Sequence, residues 1–333
     1  MSKPVDAVED ALRPYLTGGT VLLAVSGGPD STALMAAAAA VDPAATVHVA
    51  TVDHNLRPEA GVEAAAVASL AEAVGLPHRT LAWTGPKPSR GLQEAARIAR
   101  YALLATHAET IGAGLVLTGH TRDDQAETVL MRLLAGSGPA GLAGMRTERS
   151  LTPSIRLARP FLKIAKAQLV DYCERRHFAF VRDPSNDDER FARARLRRLI
   201  PDLTRKGLSP DRLCRLAARC ARDDAALTEA ARIAFVTALR PECRPGIHLD
   251  GPHLRFLPDA VLLRVASLAA EQMKPDSPER LERLEALVLD DLRPALHEGI
   301  PVRRTLRGIL FEVTRAGDLV LTSAPLRRGR KSS

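Results

Sequence analysis

A doubly wound, mostly parallel α/β sheet followed by a second, mainly helical α+β domain is the fold this chain predicts, on three observations. Short β-type apolar runs alternate with helical patterns between Val21 and Leu134. The first run, Val21-Leu22-Leu23-Ala24-Val25, is apolar throughout and ends in Ser26-Gly27-Gly28. From about Leu208 the alternation gives way to long helical stretches and a β-type ending. Regular alternation calls for parallel strands covered by helices on both faces, and it places ligands at the carboxyl ends of the strands.

Met1 to Tyr15 mixes charges with apolar residues at helical spacing and shows neither the basic start nor the apolar run of a secretory signal. The alanine-rich stretch Thr32 to Val41 reads as a helix packed on the sheet, and it is only about half the roughly 20 residues that a membrane span needs. Neither export nor membrane insertion is expected, and the cytoplasm is the expected location. Thr46 to Val52 is a second strand, Glu59 to Val74 a helix and His78 to Trp83 a third strand. Leu92 to about Glu109 is a helix, Leu115 to Thr118 a strand and Arg122 to Leu134 a helix. A glycine-rich loop, Gly136 to Gly141, precedes Arg159-Pro160-Phe161 and a helix from Lys163 to Arg176. Further helices are expected over Arg212 to Ala238, Asp259 to Glu271 and Pro278 to Leu289. Strands at Ile309 to Val313 and Asp318 to Thr322 lead to a basic tail, Arg327 to Lys331. Pro201, Gly207 and Pro210 are expected to interrupt helix, which sets the boundary between domains 1–205 and 206–333.

Composition narrows the class. Aromatic residues make up only 3% of the 333 residues while alanine is abundant, which favours close helix packing. The four cysteines, Cys173, Cys214, Cys220 and Cys243, lack C-x-x-C spacing, so neither a zinc knuckle nor an iron–sulfur cradle is expected and reduced thiols are. The formal charge is +8, and residues 151–210 hold 14 Lys/Arg against 7 Asp/Glu. Such a local excess suits a phosphate-backbone surface, although a solvated helix face accounts for the charge equally well.

A strand that runs through Ser26-Gly27-Gly28 into a helix aims backbone N–H groups at the positive end of the helix dipole, which suits polyphosphate. Pro29 has no N–H to offer and belongs at the first helical position. The loop is neither G-x-x-x-x-G-K-[ST] nor G-x-G-x-x-G, which sets aside kinase-like nucleotidases and dinucleotide dehydrogenases. Asp30 in such a cradle would repel a triphosphate unless a divalent cation lay between them, so it points to Mg²⁺. It reads alternatively as an acid in the first helical turn, favoured by the dipole. Farther on, Gly119-His120-Thr121-Arg122-Asp123-Asp124 ends a strand at His120 and opens a helix at about Arg122. Asp124 and Glu127 lie three apart on one helical face, and Asp123 fits the capping turn.

Ser26-Gly27-Gly28-Pro29-Asp30-Ser31 resembles the PP-loop of ATP pyrophosphatases, which cleave ATP between the α and β phosphates and pass AMP to a carbonyl oxygen. Within that family three further stretches resemble the tRNA(Ile)-lysidine synthetases: Val52-Asp53-His54-Asn55-Leu56-Arg57, the helix Leu92 to Tyr101 with its AR-x-x-RY pattern, and Gly119 to Thr128. The likeness continues through Arg159-Pro160-Phe161-Leu162, Asp183-Pro184-Ser185-Asn186 and Phe191 to Arg197. In the last run the family pattern F-x-R-N-x-x-R meets Ala194 in place of Asn, so the hydrogen bond of that Asn is absent or supplied elsewhere.

The resemblance implies a PP-loop ATPase fold over residues 1–205 and a tRNA-binding domain over 206–333. ATP and Mg²⁺ would serve the reaction, and tRNA(Ile) with a CAU anticodon and L-lysine would be its partners. It leaves the oligomeric state open, a homodimer included. Catalytic roles would fall to Asp30, His120, Asp124 and Arg193, with Asp30 also the metal ligand. ATP would contact Ser26, Gly27, Gly28, Pro29, Asp30, Ser31, Asp53 and His54. The other substrates would contact Asp124, Glu127, Arg97 and Arg100. His54 reads nearly as well as a polar loop histidine, and Arg193 also reads as a surface arginine. A tRNA cytidine thiolase is the rival within the family, and the cysteine spacing offers it no cluster. A nucleotide-binding regulator without turnover would have no use for Asp30, His120 and Asp124 together. Glutamine-fuelled amination would need a glutaminase domain or an N-terminal nucleophilic cysteine.

Overall fold

A computed structural model describes residues 6–41, 43–56, 60–181, 192–241, 245–274 and 281–324. The chain divides into two compact units, Met1–Ala135 with Ala143–Ala217, and Gly136–Leu142 with Ala218–Ser333. In chain order the elements begin with α1 (Ala7–Leu12), β1 (Thr20–Ala24), α2 (Pro29–Ala40), β2 (Thr46–Asp53) and α3 (Ala60–Ala73). Then come β3 (His78–Ala82), α4 (Leu92–Thr110), β4 (Leu115–Thr118), α5 (Arg122–Leu134) and the short α6 (Pro139–Leu142), which belongs to the second unit. The first unit resumes with β5 (Glu148–Ser150), β6 (Arg156–Ala158), α7 (Lys166–Arg175), α8 (Ala192–Arg205) and the start of α9 (Pro210–Ala238).

The first unit is built on one sheet of order β3-β2-β1-β4-β6-β5, parallel except for the antiparallel edge strand β5. Side chains on a strand alternate between faces, and here the alternation assigns each residue to a different core. Val21 and Leu23 of β1 pack with Val47, Val49 and Leu117 under α1, α2, α3 and α7, whereas Leu22 packs with Ala50, Val116 and Leu157 under α4. A sheet buried on both faces explains why its strands read as continuous apolar runs. Ala33, Leu34, Met35, Ala36, Ala37 and Ala38 of α2 are at most 2% exposed, as expected of a helix that is apolar all round.

The edge pair β5 and β6 escaped the sequence pattern. Each spans three residues, and Glu148, Arg149 and Ser150 of β5 are all exposed, so no apolar alternation marks them. Nor was helix α8 anticipated. Pro201, expected to interrupt helix, lies inside it, and the chain turns only after Arg205. A proline inside a helix forfeits one hydrogen bond and crowds a carbonyl, at a cost of about 3 kcal/mol. Packing of Leu196 with Ala126, Val129, Leu130, Leu213 and Ala217 opposes that cost.

The second unit contains β7 (Ile247–Leu249), α10 (Gly251–Leu254), α11 (Asp259–Met273), α12 (Leu281–Glu285), a π-helical stretch Ala286–Leu292, α13 (Arg293–Glu298), β8 (Val302–Leu306), β9 (Ile309–Val313) and β10 (Leu319–Ser323). Its antiparallel sheet has the order β7-β10-β9-β8. Ile309, Phe311 and Val313 alternate inward with Leu319 and Leu321 onto Val265, Ala269 and Val288. Strands β7 and β8 were not anticipated. The helix expected over Pro278 to Leu289 is described from Leu281 and is partly π-helical. The basic tail Arg327 to Lys331 and Cys243 lie outside the described residues.

Candidate active site

Strand order reverses at β1, which is flanked by β2 and β3 on one side and by β4 and β6 on the other. A crevice opens at the carboxyl ends of strands where an open α/β sheet changes direction. The pairing Ala24↔Thr118 sets the segments that follow β1 and β4 side by side. A cleft of about 470 Å³ lies there, and Ser26, Gly28, Asp30, Ser31, His54, Arg97, Arg100, His120, Asp124 and Arg193 are among the residues that line it.

The loop after β1 is wired internally. Ser31 Oγ accepts from the Ser26 N–H at 3.1 Å and lies 3.1 Å from the Gly28 carbonyl. Gly27 holds φ at +85°, a region strained for any side chain, and its carbonyl accepts the Val181 N–H at 2.8 Å. Pro29 takes the first position of α2, and no side chain caps that helix, so its leading N–H groups are left for a ligand.

Gly119 clamps the two segments together. A Cβ there would lie 2.7 Å from the Asp30 carbonyl oxygen and 3.1 Å from the Ser31 nitrogen, and backbone cannot step aside as a flexible side chain does. Gly119→Ala should therefore displace the start of α2, costing about 1–3 kcal/mol of stability and weakening nucleotide binding with it. Thermal unfolding and ATP titration check this, and wild-type values in both would mean that the packing gives way freely.

Asp30 is largely buried. Its Oδ2 lies 3.3 Å from Lys166 Nζ, while its buried Oδ1 has no hydrogen-bond partner. Burial pushes its carboxyl up to about 6; Lys166 pulls the other way, and Asp124 and Asp123 add to the rise. Lys166 carried no sequence signal, because it lies far along the chain at the first position of α7 and only the fold brings it to the loop.

His120 sits with Nδ1 2.8 Å from Thr118 Oγ1. Burial, reinforced by Arg100, Arg159 and Arg97 against the opposing Asp124, lowers its imidazole to about 3, so the ring is neutral. If Thr118 donates to Nδ1, the ring proton is on Nε2 and that atom is a neutral donor.

Asp124 closes a capping box on α5. Its Oδ2 accepts from the Thr121 N–H at 2.8 Å and from Thr121 Oγ1 at 2.9 Å, and its own N–H donates to Thr121 Oγ1 at 3.2 Å. Its Oδ1 has no hydrogen bond among the described residues. Asp123 lies in the first turn of α5 as expected, and its carboxylate accepts the Lys166 N–H of α7 at 2.8 Å. Adjacent acids thus open two different helices.

Of the other anticipated residues, His54, Arg97, Arg100 and Arg193 also line the cleft, whereas Asp53 and Glu127 do not. Glu127 is 3% exposed, does not line the cleft, and pairs with Arg197, whose Nε lies 2.8 Å from Oε1. Asp53 accepts the Asn55 N–H at 2.7 Å in a local turn. His54 packs edge-on against Trp83 with ring centres 6.1 Å apart, and burial followed by the charge of Arg100 lowers its imidazole. Arg193 lines the cleft as an exposed residue of α8, where Ala194 is buried and asks for no hydrogen bond. The segment Asp183-Pro184-Ser185-Asn186 and Phe191 lie outside the described residues.

Comparison with known proteins agrees with this geometry. The PP-loop domain family matches residues 4–203. The tRNA(Ile)-lysidine synthase of Methylobacterium sp. (strain 4-46) is 52% identical over 339 residues, covering 99% of this chain and 98% of the relative. That of Methylobacterium nodulans is 52% identical over 336 residues, covering 98% of each chain. Among solved structures, the U34-tRNA thiolase NcsA from Methanococcus maripaludis is similar in fold, with a TM-score of 0.55 at 15% identity over 64% of this chain and 77% of that one. With a loop, cleft and strand order of this kind and relatives that match from end to end, this chain belongs to the tRNA(Ile)-lysidine synthase family of PP-loop proteins.

Proposed function

We propose that this protein ligates L-lysine to the 2-carbon of the wobble cytidine of tRNA(Ile), cleaving ATP to AMP and pyrophosphate through an adenylated cytidine. The observation that carries the reading is the meeting, in one cleft at the β1–β4 junction, of an uncapped phosphate loop, the carboxylate of Asp30, the neutral ring of His120 and the half-engaged carboxylate of Asp124.

The cytosine 2-carbonyl is a poor electrophile without a leaving group. Attack of its oxygen on the α-phosphorus expels pyrophosphate and turns that oxygen into part of a good leaving group, AMP. The lysine ε-amine then displaces AMP at the ring carbon. The amides of Gly28 and of the first turn of α2 would receive the pyrophosphate, and Arg193 would meet phosphate charge at the cleft. His120, being neutral, would contribute a hydrogen bond rather than a charge. Asp124 Oδ1 would orient the lysine ammonium and take its proton, since a free lysine amine is almost wholly protonated at neutral pH.

The donors present suit Mg²⁺, which takes few protein ligands and keeps waters and phosphate oxygens. Asp30 Oδ1, buried and unpartnered, would be the protein's contribution. Bound Mg²⁺ would neutralise charge on the triphosphate. The thiolase reading has weaker support, because burial pushes the thiols of Cys173 and Cys214 up to about 12 and about 11, away from the reactive thiolate.

The RNA is gripped in part by α8, which presents Arg193, Arg195 and Arg198 as exposed residues, and by the C-terminal unit. Incubation with tRNA(Ile), ATP and lysine should yield lysidine on mass spectrometry of the nucleosides, with AMP in equal amount. With about six phosphate contacts, tRNA affinity should fall on the order of 10³-fold between about 50 and 200 mM salt. ATP binding without AMP or lysidine would defeat the assignment, and salt-independent tRNA binding would remove the phosphate-gripping surface.

A further inference from the structure

Helix α4, the edge strand β5 and the turn after β6 bring several arginines to one tyrosine. Tyr101 is 8% exposed, and the guanidinium carbons of Arg97, Arg100 and Arg149 stand 5.2, 5.1 and 5.0 Å from the centre of its ring. Arg159 adjoins them, 2% exposed and fixed by a 2.7 Å hydrogen bond from Nη1 to the Arg146 carbonyl. Among the described residues no carboxylate pairs with Arg97, Arg100, Arg149 or Arg159. The buried Nε atoms of Arg100 and Arg159 have no hydrogen-bond partner either. Stacking on the ring holds three of these side chains without cancelling their charge. The phenol reports the resulting field: burial raises its pKa, yet Arg100, Arg97 and Arg159 outweigh burial and hold it below the ordinary tyrosine value. Gathered cations with unused buried donors are a binding site for an anion.

We propose that this arginine cluster around Tyr101 is a phosphate-binding site that holds the backbone of the RNA substrate where it leaves the cleft, an inference that rests on the functional reading above. Arg97 and Arg100 line the cleft, whereas Arg149 is exposed on β5, the outermost strand, and lies outside it. The cluster therefore adjoins the cleft through Arg97 and Arg100 and opens to solvent at Arg149. An extended polyanion that leaves the cleft on this side meets the whole cluster, including its exposed outer member Arg149. The planar fork of guanidinium matches phosphate oxygens, and phosphate contacts of this kind fix the register of a strand without reading its bases.

Arg149→Ala removes one cation from an exposed strand, away from the cleft. With a tRNA transcript as probe, affinity should fall about five- to tenfold and the salt slope should lessen by about one phosphate contact. Arg149→Glu should deepen the loss. Calorimetry with a non-hydrolysable ATP analogue should give wild-type affinity for both variants, and their thermal unfolding should match the parent. Reduced affinity for the analogue with unchanged tRNA binding would mean that the cluster serves the phosphates of ATP, which overturns the proposal, as would no change in either. A wild-type protein that binds no tRNA transcript would instead bring down the functional reading, and this inference with it.

Discussion

Asp30→Ala should abolish Mg²⁺-dependent AMP formation, lowering the rate by at least about 10²–10³-fold, while the protein stays folded. Within the loop after β1 no other side chain offers a carboxylate to a cation, and Ser26 and Ser31 are committed to each other and to backbone. The fold should survive because the ionised carboxylate is a burden to the native state: its pKa is raised to about 6 rather than depressed. Removing it relieves desolvation at neutral pH at the expense of one partly exposed ion pair, so Tm should stay near the parental value. The same shift sets a pH dependence in the wild type. Below about pH 6 the carboxyl of the nucleotide-free protein takes up its proton, and cation binding should weaken about tenfold for each further pH unit. Parental AMP yield from Asp30→Ala would remove this residue from the metal site.

Asp124→Asn should separate the two half-reactions. The amide oxygen of Asn can still accept from the Thr121 N–H, so the capping box on α5 persists and stability should change little. An amide cannot pair with or deprotonate an ammonium. Adenylation of the cytidine should therefore proceed near the parental rate, while lysine transfer slows by about 10²-fold. Single-turnover experiments that follow adenylated tRNA and lysidine separately check this. Parallel loss of both steps would assign Asp124 to cation binding beside Asp30 rather than to the amine. Asp124→Ala would not serve, because it loses the helix cap as well and confounds stability with chemistry.

The residues that were legible in the sequence are those whose local pattern and whose chemistry coincide. The run Val21 to Val25 into Ser-Gly-Gly reads as strand, loop and helix because each residue obeys local rules, and α5 and β4 have the expected bounds for the same reason. The short pairs β5–β6 and β7 carry three residues per strand, too few for periodicity to show. Helix α8 is dominated by arginine, and its apolar face is recognisable only once α5 and α9 supply the surface it covers. At the site, Asp30, His120 and Asp124 were readable because they stand inside motifs. The pairing of Glu127 with Arg197 was not, since spacing along a helix places a carboxylate on a face without saying which side chain will meet it there. Arg149 was invisible for a related reason, belonging to no run, and although Arg159 stands in a recognisable run, its place beside Tyr101 comes only from the packing of β5 and β6 beside α4.

Lys166 gives the phosphate loop an internal counterion. With its ammonium 3.3 Å from Asp30 Oδ2, any cation that takes both oxygens of that carboxylate enters by exchange and must compete with a tethered rival of fixed local concentration. For such an ion the affinity would be a difference between two bonds, weaker than the bare carboxylate would show. An ion that arrives already bound to a triphosphate is better placed, since the phosphates give the displaced ammonium a new partner in the same move. For a cation bound in that way, selectivity for the metal–nucleotide complex over the lone ion would follow from the exchange itself.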